Sequence, residues 1–586
     1  MGFKMKNLRY IKDLIFRYKY RYIIGILFLI SVDTLQLIFP KILGFFTDDL
    51  KGGGITDSKV LYYAIIIALI AVGIALFRFL WRYFIFGVSR KIEKELRNRF
   101  YEHLQKLSVN YYNNHKTGDL LAHSSNDIAN VQVALGQGIT MSLDSLLIPV
   151  VSIILMIGTA GFKLTLICFL PLALLGLIIS LNVKFMHSKI EKMQEAFSQL
   201  TETARENFSG IRVVKSFVQE QKEMAKFIAS NKYNKEMNLI FVRNTSLLFP
   251  IVMSVSTLTF AIALWYGGSL VISGEITLGS FIAFNGYLLT LTWPIAALGW
   301  VTSLFQRGFV SLKRINAILD EKPEIEDSQD IVQISKVEGK IVFNNLNFTY
   351  PGHSSQVLKN INITLEKGKT LAIVGRTGSG KTTLINLIVR LYNVGNGQLL
   401  VDDIDINRVP LSVLRESIGF VPQDTFLFSA TIKENIDFFL GNDDSSIEKA
   451  SKTSKVYDDI KEFPKGFDTI VGERGVTLSG GQKQRISIAR AILRSPSILI
   501  LDDCLSAVDT NTEEEILKGL KEVMQERTSI IVSHRISTIK DADEIIFLDE
   551  GEIIERGTHE TLLELQGQYY ELYQKQLLAD QLAKED

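Results

Sequence analysis

Residues 375–382 read Gly-Arg-Thr-Gly-Ser-Gly-Lys-Thr, the spacing G-x-x-x-x-G-K-[ST] of a phosphate-binding loop. Gly375, Gly378 and Gly380 let backbone N–H groups converge on phosphate oxygens with no Cβ in the way. Lys381 is of a length to reach the β- and γ-phosphates, and the Thr382 hydroxyl can ligate Mg²⁺. Arg376, Thr377, Ser379 and Thr383 complete the candidate nucleotide-binding stretch. Further along, Ile498-Leu-Ile-Leu-Asp-Asp503 ends an apolar run in two carboxylates. Asp502 suits Mg²⁺, together with Thr382 and Gln423, and Asp503 stands where a base or water-orienting group is expected. Gln423, in Val-Pro-Gln-Asp, can bridge metal, water and the rest of the chain, and His534, in Val-Ser-His-Arg, either meets the γ-phosphate or is structural. Tyr350, ahead of a turn proline, either stacks on adenine or is a core tyrosine. Ser479-Gly480-Gly481-Gln482 opens a helical stretch and makes a second backbone anion site. One chain cannot wrap both anion sites around one nucleotide; two domains placed head to tail can.

These groups need strands and helices to hold them. Leu371–Val374 before the loop reads as a buried strand, and Thr383–Val389 after it as a helix. Strand-like runs at 341–343, 370–374, 498–501, 529–532 and 544–548 alternate with helical ones, which predicts an α/β domain over 339–575 with a mainly parallel core sheet. A charged, proline-containing linker at 321–338 precedes it, and 576–586 is a polar tail with no assigned chemistry.

The chain of 586 residues is too long for one ordinary domain, and its apolar content of 47% concentrates in the first ~320 residues. That segment, 1–320, predicts an all-α transmembrane domain of six helices near 22–39, 61–86, 139–158, 164–181, 247–272 and 281–305, the first ended by Pro40. Residues 1–21, basic and aromatic, read as an interfacial helix. The loops at 47–55, 159–163 and 273–279 lack a basic excess and face outward, whereas Arg90, Lys91, Lys94, Arg97 and Arg99 place the excursion at 89–135 inside; a second long excursion covers 184–242. Both termini and the ATPase half are then cytoplasmic in a plasma-membrane protein. Net charge is +1, which gives no reason to expect nucleic acid, and the two cysteines imply no disulfide framework. Within the spans, Asp33 either faces a substrate cavity or is a partnered structural acid; Asp144 falls near the inner interface, and Arg78 and Arg82 read as snorkelling.

The ordered motifs resemble those of the ATP-binding cassette exporters over essentially the whole chain. The resemblance makes Tyr350 the adenine-stacking aromatic, 375–382 the Walker A loop, Gln423 the Q-loop, Val471–Gly475 the X-loop, Leu478–Gln482 the signature, Asp502 the Walker B acid, Ser506–Asp509 the D-loop and His534 the switch histidine. It also makes Thr117, Gly118 and Asp119 a first coupling region and Arg212 part of a second, and it implies ATP and Mg²⁺ as cofactors. One position departs from the pattern: the family has Glu after the Walker B Asp, and this chain has Asp503. That resembles the degenerate-site half of a bacterial heterodimeric multidrug exporter, whose partner chain supplies the Glu. The expectation is ATP-driven export of hydrophobic or amphipathic compounds. A homodimer that tolerates Asp, a lipid flippase and a mainly regulatory half are the alternatives.

Overall fold

The computed structural model describes residues 8–585 except 54, 473–477, 507 and 509; the helical side chains of 179–187, 248, 249, 296, 510, 511, 579, 580 and 582–585 are also outside the description. The chain divides into two units, Met1–Gln105 with Thr117–Glu321, and Lys106–Lys116 with Lys322–Asp586.

The first unit is helical. Among the described residues, Lys19–Lys51, Asp57–Lys106, Thr117–Ala160, Glu220–Ile272 and Leu278–Leu319 are long and apolar enough to cross a bilayer. The shorter apolar stretch Phe162–Ile178 heads the helix Phe162–Ser209. The expected span 164–181 thus runs past the last described side chain of that stretch. Pro40 does not end the first long helix, contrary to the sequence expectation. Its ring is accommodated by Gly286 of the last long helix, where a Cβ would lie 2.6 Å from Pro40 Cβ. The missing side chain at Gly286 gives the ring its room between the two helices. The expected outer loop at 47–55 is also shorter, because helix continues to Lys51 and resumes at Asp57. Gly161, at φ +81°, makes the tight turn expected at 159–163.

Beyond the apolar stretches, buried polar groups tie the helices together. Asp127 accepts from Ser311 Oγ at 2.8 Å, pairs with Arg314, and lies 2.7 Å from His123 Nδ1. The N-terminal helix Arg9–Arg17 buries Ile11 and Leu14. Arg99 fastens it, donating to the Tyr10 carbonyl at 3.0 Å and to Asp13 Oδ1 at 3.1 Å. Lys4 and Lys6 of the expected interfacial helix lie outside the described residues.

The second unit carries strands β1 (Ile341–Phe348), β2 (Leu358–Leu365), β3 (Thr370–Gly375), β4 (Leu399–Val401), β5 (Ile404–Asp405), β6 (Ile418–Val421), β7 (Ile498–Asp502), β8 (Thr528–Val532), β9 (Glu544–Asp549) and β10 (Glu552–Gly557). An antiparallel sheet has the order β2-β1-β4-β5, and a second sheet the order β10-β9-β3-β8-β7-β6. In the second, β9, β3, β8, β7 and β6 run parallel and β10 is an antiparallel edge. β7 and β8 are buried at every position, as parallel strands covered on both faces must be.

Candidate functional site

The strand order places the chemistry. β3, β8 and β7 are neighbours, with Ile373 opposite Val532 and Val532 opposite Asp502. Their carboxyl ends therefore bring together the loop after Gly375, the Asp502–Asp503 pair and His534, where open α/β sheets bind ligands. The loop is tight enough to require glycine. At Gly375 a Cβ would stand 2.0 Å from the Leu548 carbonyl oxygen, and Gly380 has φ +103°.

A cavity of about 210 Å³ opens at this edge, lined among others by Thr377, Gly378, Gly380, Lys381, Thr382, Thr383, Gln423, Asp502, Asp503 and His534. Lys381 Nζ donates to the carbonyls of Gly375 at 2.9 Å and Arg376 at 2.7 Å. Thr382 Oγ1 donates to Asp502 Oδ2 at 3.1 Å. Ser379 is buried, and its hydroxyl has no hydrogen-bond partner among the described residues. Burial pushes the Lys381 pKa down against the pull of Asp502 and Asp503. Burial pushes Asp502 up, with Asp503 adding to it and the Thr382 bond opposing. Asp503 is also pushed up by burial, and His534, Arg535 and Lys381 oppose. The His534 side chain lies open to solvent on one side, yet partial loss of water and the Lys381 charge hold it below its ordinary value, with Asp503 opposing. Two carboxylates, a hydroxyl and a lysine around a glycine loop can hold a polyphosphate and a hard cation.

Asp503 sits in an unusual backbone conformation, φ +44°. Its N–H donates to the Val532 carbonyl at 2.8 Å, and its own carbonyl accepts from Ser506 Oγ at 3.0 Å. The side chain is thereby aimed from a fixed backbone.

Other predicted residues stand apart from the cavity. The Tyr350 ring packs edge-on to Phe348 and Tyr392, centroids 5.1 and 5.0 Å away, and its hydroxyl is 2.8 Å from Thr383 Oγ1. Arg376 Nη2 donates to Gln568 Oε1 at 3.3 Å. Ser479 caps the helix Gly480–Leu493: its hydroxyl accepts from the Gln482 N–H, and Gln482 Oε1 accepts from the Ser479 N–H. Gln482 then donates to Asp459 at 3.1 Å. Ser479 and Gly480 are exposed and do not line the cavity formed by their own chain. In the X-loop, residues 473–475 lie outside the described residues, as do 507 and 509 of the D-loop.

Thr117, Gly118 and Asp119 open the short helix Thr117–Ala122 in the helical unit, exposed. Arg212 lies in the exposed helix Ile211–Ser216. The segment that groups with the nucleotide unit is Lys106–Lys116, which stops where the expected coupling residues begin. Its Asn113 Nδ2 donates to the Tyr392 hydroxyl at 3.1 Å, and Ser108 Oγ donates to Glu324 at 2.9 Å.

The sequence reading also missed Gln576, in the helix Gln568–Glu585 to which it gave no chemistry. Gln576 Nε2 donates to the His534 carbonyl at 2.5 Å, and its Oε1 accepts from the Ile536 N–H at 2.9 Å. Nothing in residue spacing signals this clamp; the buried Tyr569 in the same helix is the nearest hint that the tail packs. In the helical unit, Asp33 lines a separate cavity with Arg78 and Asp144, so Arg78 is not simply an interfacial side chain.

Comparison with known proteins agrees with both units. The family described as ABC transporter transmembrane region matches residues 22–295, and the family described as ABC transporter matches residues 358–506. The chain is 38% identical over 566 residues to the probable multidrug resistance ABC transporter ATP-binding/permease protein YheI of Bacillus subtilis, covering 96% of each. It is 37% identical to the multidrug resistance-like ATP-binding protein MdlA of Escherichia coli, covering 95% of this chain and 94% of that protein. It is 36% identical to an ATP-dependent lipid A-core flippase of Syntrophus aciditrophicus, over 85% of this chain and 82% of the flippase. Among solved structures, a bacterial Atm1-family ABC exporter with ATP bound superposes with a TM-score of 0.80 at 27% identity, over 95% of this chain and 98% of that one. With a helical membrane unit and a phosphate-loop ATPase unit joined in one polypeptide, the chain belongs to the ABC transporter family and is an ATP-driven exporter.

Proposed function

We propose that this chain is one half of a heterodimeric multidrug exporter and that its own ATP site is the slow one. The observation that carries this reading is Asp503, a carboxylate one methylene short of Glu, fixed at φ +44° beside Asp502, Lys381 and His534. A partner half carrying Glu would supply the fast site. Ser479 and Gly480, exposed at their helix N-terminus, and the half-buried Gly481 would cap that partner's phosphate loop, with Gln482 behind them.

At this chain's own site, ATP would be held by the backbone of 375–383 and by Lys381, with Tyr350 against the adenine. Thr382 and Asp502, 3.1 Å apart, are hard oxygen donors that fit Mg²⁺, with Gln423 on the same cavity wall. Bound there, the ion would neutralise phosphate charge. Six membrane helices follow if Phe162–Ser209 joins the five longer apolar ones, with both termini and the ATPase unit cytoplasmic in the plasma membrane. The working domains are 1–320 for the membrane part, 321–338 for the linker and 339–575 for the cassette. Coupling runs through Thr117–Asp119 and through the turn around Arg212. The latter exposes Ile211, Val213, Phe217 and Val218 and thus offers an apolar face to a nucleotide-binding domain. ATP binding would close the two cassettes and turn the cavity outward; hydrolysis would reset it.

The test is purification from the native host. A second ABC chain that co-purifies in equal amount, together with slow ATP turnover by this chain alone, is the expected result. A homodimer with vigorous turnover refutes the reading. The flippase relatives favour a second reading, a homodimeric lipid exporter. ATPase stimulation by lipid and not by amphipathic drugs would select it.

A further inference from the structure

The cavity in the helical unit has a volume of about 230 Å³ and is lined by Asp33, Asp144, Arg78, Trp81, Ser145 and Trp293, among others. Four of these present buried polar atoms with no hydrogen-bond partner among the described residues: Asp33 Oδ2, Asp144 Oδ1, Trp81 Nε1 and Ser145 Oγ. Asp33 is 6% exposed and Ser145 4%, so both are withdrawn from bulk solvent into this cavity. Among the described residues neither carboxylate forms an ion pair with Arg78 within 4.0 Å. Native proteins pair nearly all buried polar atoms, and carboxylates at membrane depth are expensive and mark ligand or ion paths. Four unpaired atoms sharing one cavity therefore read as one half of a set of contacts.

The missing half can be read from the chemistry of the wall. Two carboxylates face one guanidinium, which leaves an excess of acceptor and of negative charge. Trp293 adds aromatic surface, and a cation over an indole face is attracted by the ring quadrupole; the Trp81 ring already has the Arg82 guanidinium 5.6 Å from its centroid. The Trp81 N–H is a donor that needs an acceptor on the ligand. We propose that this cavity binds the protonated amine head of an amphipathic compound, its N–H groups shared between Asp33 and Asp144 and its apolar body leaving past Trp293. Arg78 keeps the two acids from repelling each other while the site awaits its cation, and limits it to a single positive charge. The inference rests on the multidrug-export reading and names its substrate class.

The experiment measures binding without ATP, so it is independent of which site hydrolyses and of whether the partner is a second chain or a copy. The assembled transporter in nanodiscs is titrated with dansylcadaverine, a primary ammonium, and with its N-acetyl derivative, which carries the same fluorophore without charge. Wild type is expected to prefer the amine at least ~10-fold, one charge-assisted contact's worth. The double variant Asp33→Asn and Asp144→Asn is expected to bring the ratio close to one, with nucleotide binding unchanged. A wild-type ratio near one, or a ratio that survives in the double variant, overturns the proposal. Should the variant fail to assemble, wild type decides: dansylcadaverine, and not the acetylated dye, must protect Asp33 and Asp144 from dicyclohexylcarbodiimide, read by peptide mass spectrometry. Equal labelling with either dye overturns it. Nanodiscs of phosphatidylglycerol and of phosphatidylethanolamine separate the two sources of an ammonium group. A lipid amine as the occupant weakens dansylcadaverine in the second, whereas a free cation as the occupant leaves its affinity equal in both.

Discussion

Lengthening Asp503 by one methylene isolates the reason for calling this site slow. The backbone of Asp503 is held by the bonds of its N–H to Val532 and of its carbonyl to Ser506, so the carboxylate of Asp503→Glu starts from the same Cα. One added C–C bond extends its reach by about 1–1.5 Å toward the attacking water. A shortfall of ~1 Å in a catalytic group costs on the order of 100-fold in rate, or about 2.7 kcal/mol of barrier. Against this stands φ +44°, which Asp tolerates better than Glu. That penalty, ~1 kcal/mol, falls on folding and leaves the barrier of the chemical step untouched. The two effects therefore separate: turnover rises while thermal stability drops by a few degrees. The assay uses the assembled pair with the partner's own catalytic Glu replaced by Gln, so that turnover reports on this site. The kcat for ATP is expected to rise ~30–100-fold, with the ATP Kd within about twofold. A change in kcat below about threefold refutes the argument, because carboxylate reach would then not be what limits the site.

Three further outcomes follow from the same unit. Gln576→Ala removes two hydrogen bonds to the backbone around His534, worth ~1–3 kcal/mol together; kcat of the pair should fall several-fold with ATP affinity retained, and unchanged kcat would remove the tail helix from the site. His534 should titrate below its ordinary value of 6.5. A histidine whose folded pKa is lowered stabilises the fold fully above its unfolded pKa, and that contribution is lost as pH falls through 6.5 toward the folded value. Histidine C2–H deuterium exchange followed by mass spectrometry gives the midpoint, and a midpoint at or above 6.5 contradicts the burial argument. Tyr392→Phe deletes the acceptor of Asn113 and should blunt substrate stimulation of ATPase activity while basal turnover and ATP binding stay put; equal loss of both would mean that Tyr392 only supports the core.

The phosphate loop, Asp502, Gln423 and His534 stood out in the sequence through local spacing and strand ends, and the parallel order β3-β8-β7-β6 brings them to one edge. What spacing could not give is everything decided by distant packing. Pro40 looks like a helix end in sequence; only Gly286, 246 positions on, lets its ring stay inside a helix. Gln576 sits in a polar tail, and its role exists because Tyr569 is drawn into the core and carries the helix with it. Arg78 could be placed near an interface by its position along the span, but its neighbours Asp33 and Asp144 come from two other helices. In the membrane half five long apolar helices and the cavity candidate Asp33 could be read from sequence, whereas the neighbours of Asp33 could not, since a bilayer-crossing helix is specified by apolar content while its polar partners are specified by helix packing.

The segment Lys106–Lys116 shows how the ATP site and the long helices can share one signal. It groups with the nucleotide unit, yet the chain on either side, ending at Gln105 and resuming at Thr117, belongs to the helical unit. Within the nucleotide unit, Asn113 bonds Tyr392, Tyr392 packs against Tyr350, and Tyr350 bonds Thr383 beside Lys381 and Thr382. A change in how Tyr350 is seated, as an adenine ring would impose, reaches Asn113 through a single buried aromatic. The Tyr392 ring is 6% exposed and hemmed by Phe348, so it cannot absorb such a shift by moving into solvent. Asn113 lies seven residues past Lys106, the end of the helix that begins at Asp57. Under the proposal that Asp503 makes this site slow, such a path would let the site signal that ATP is bound without having to hydrolyse it.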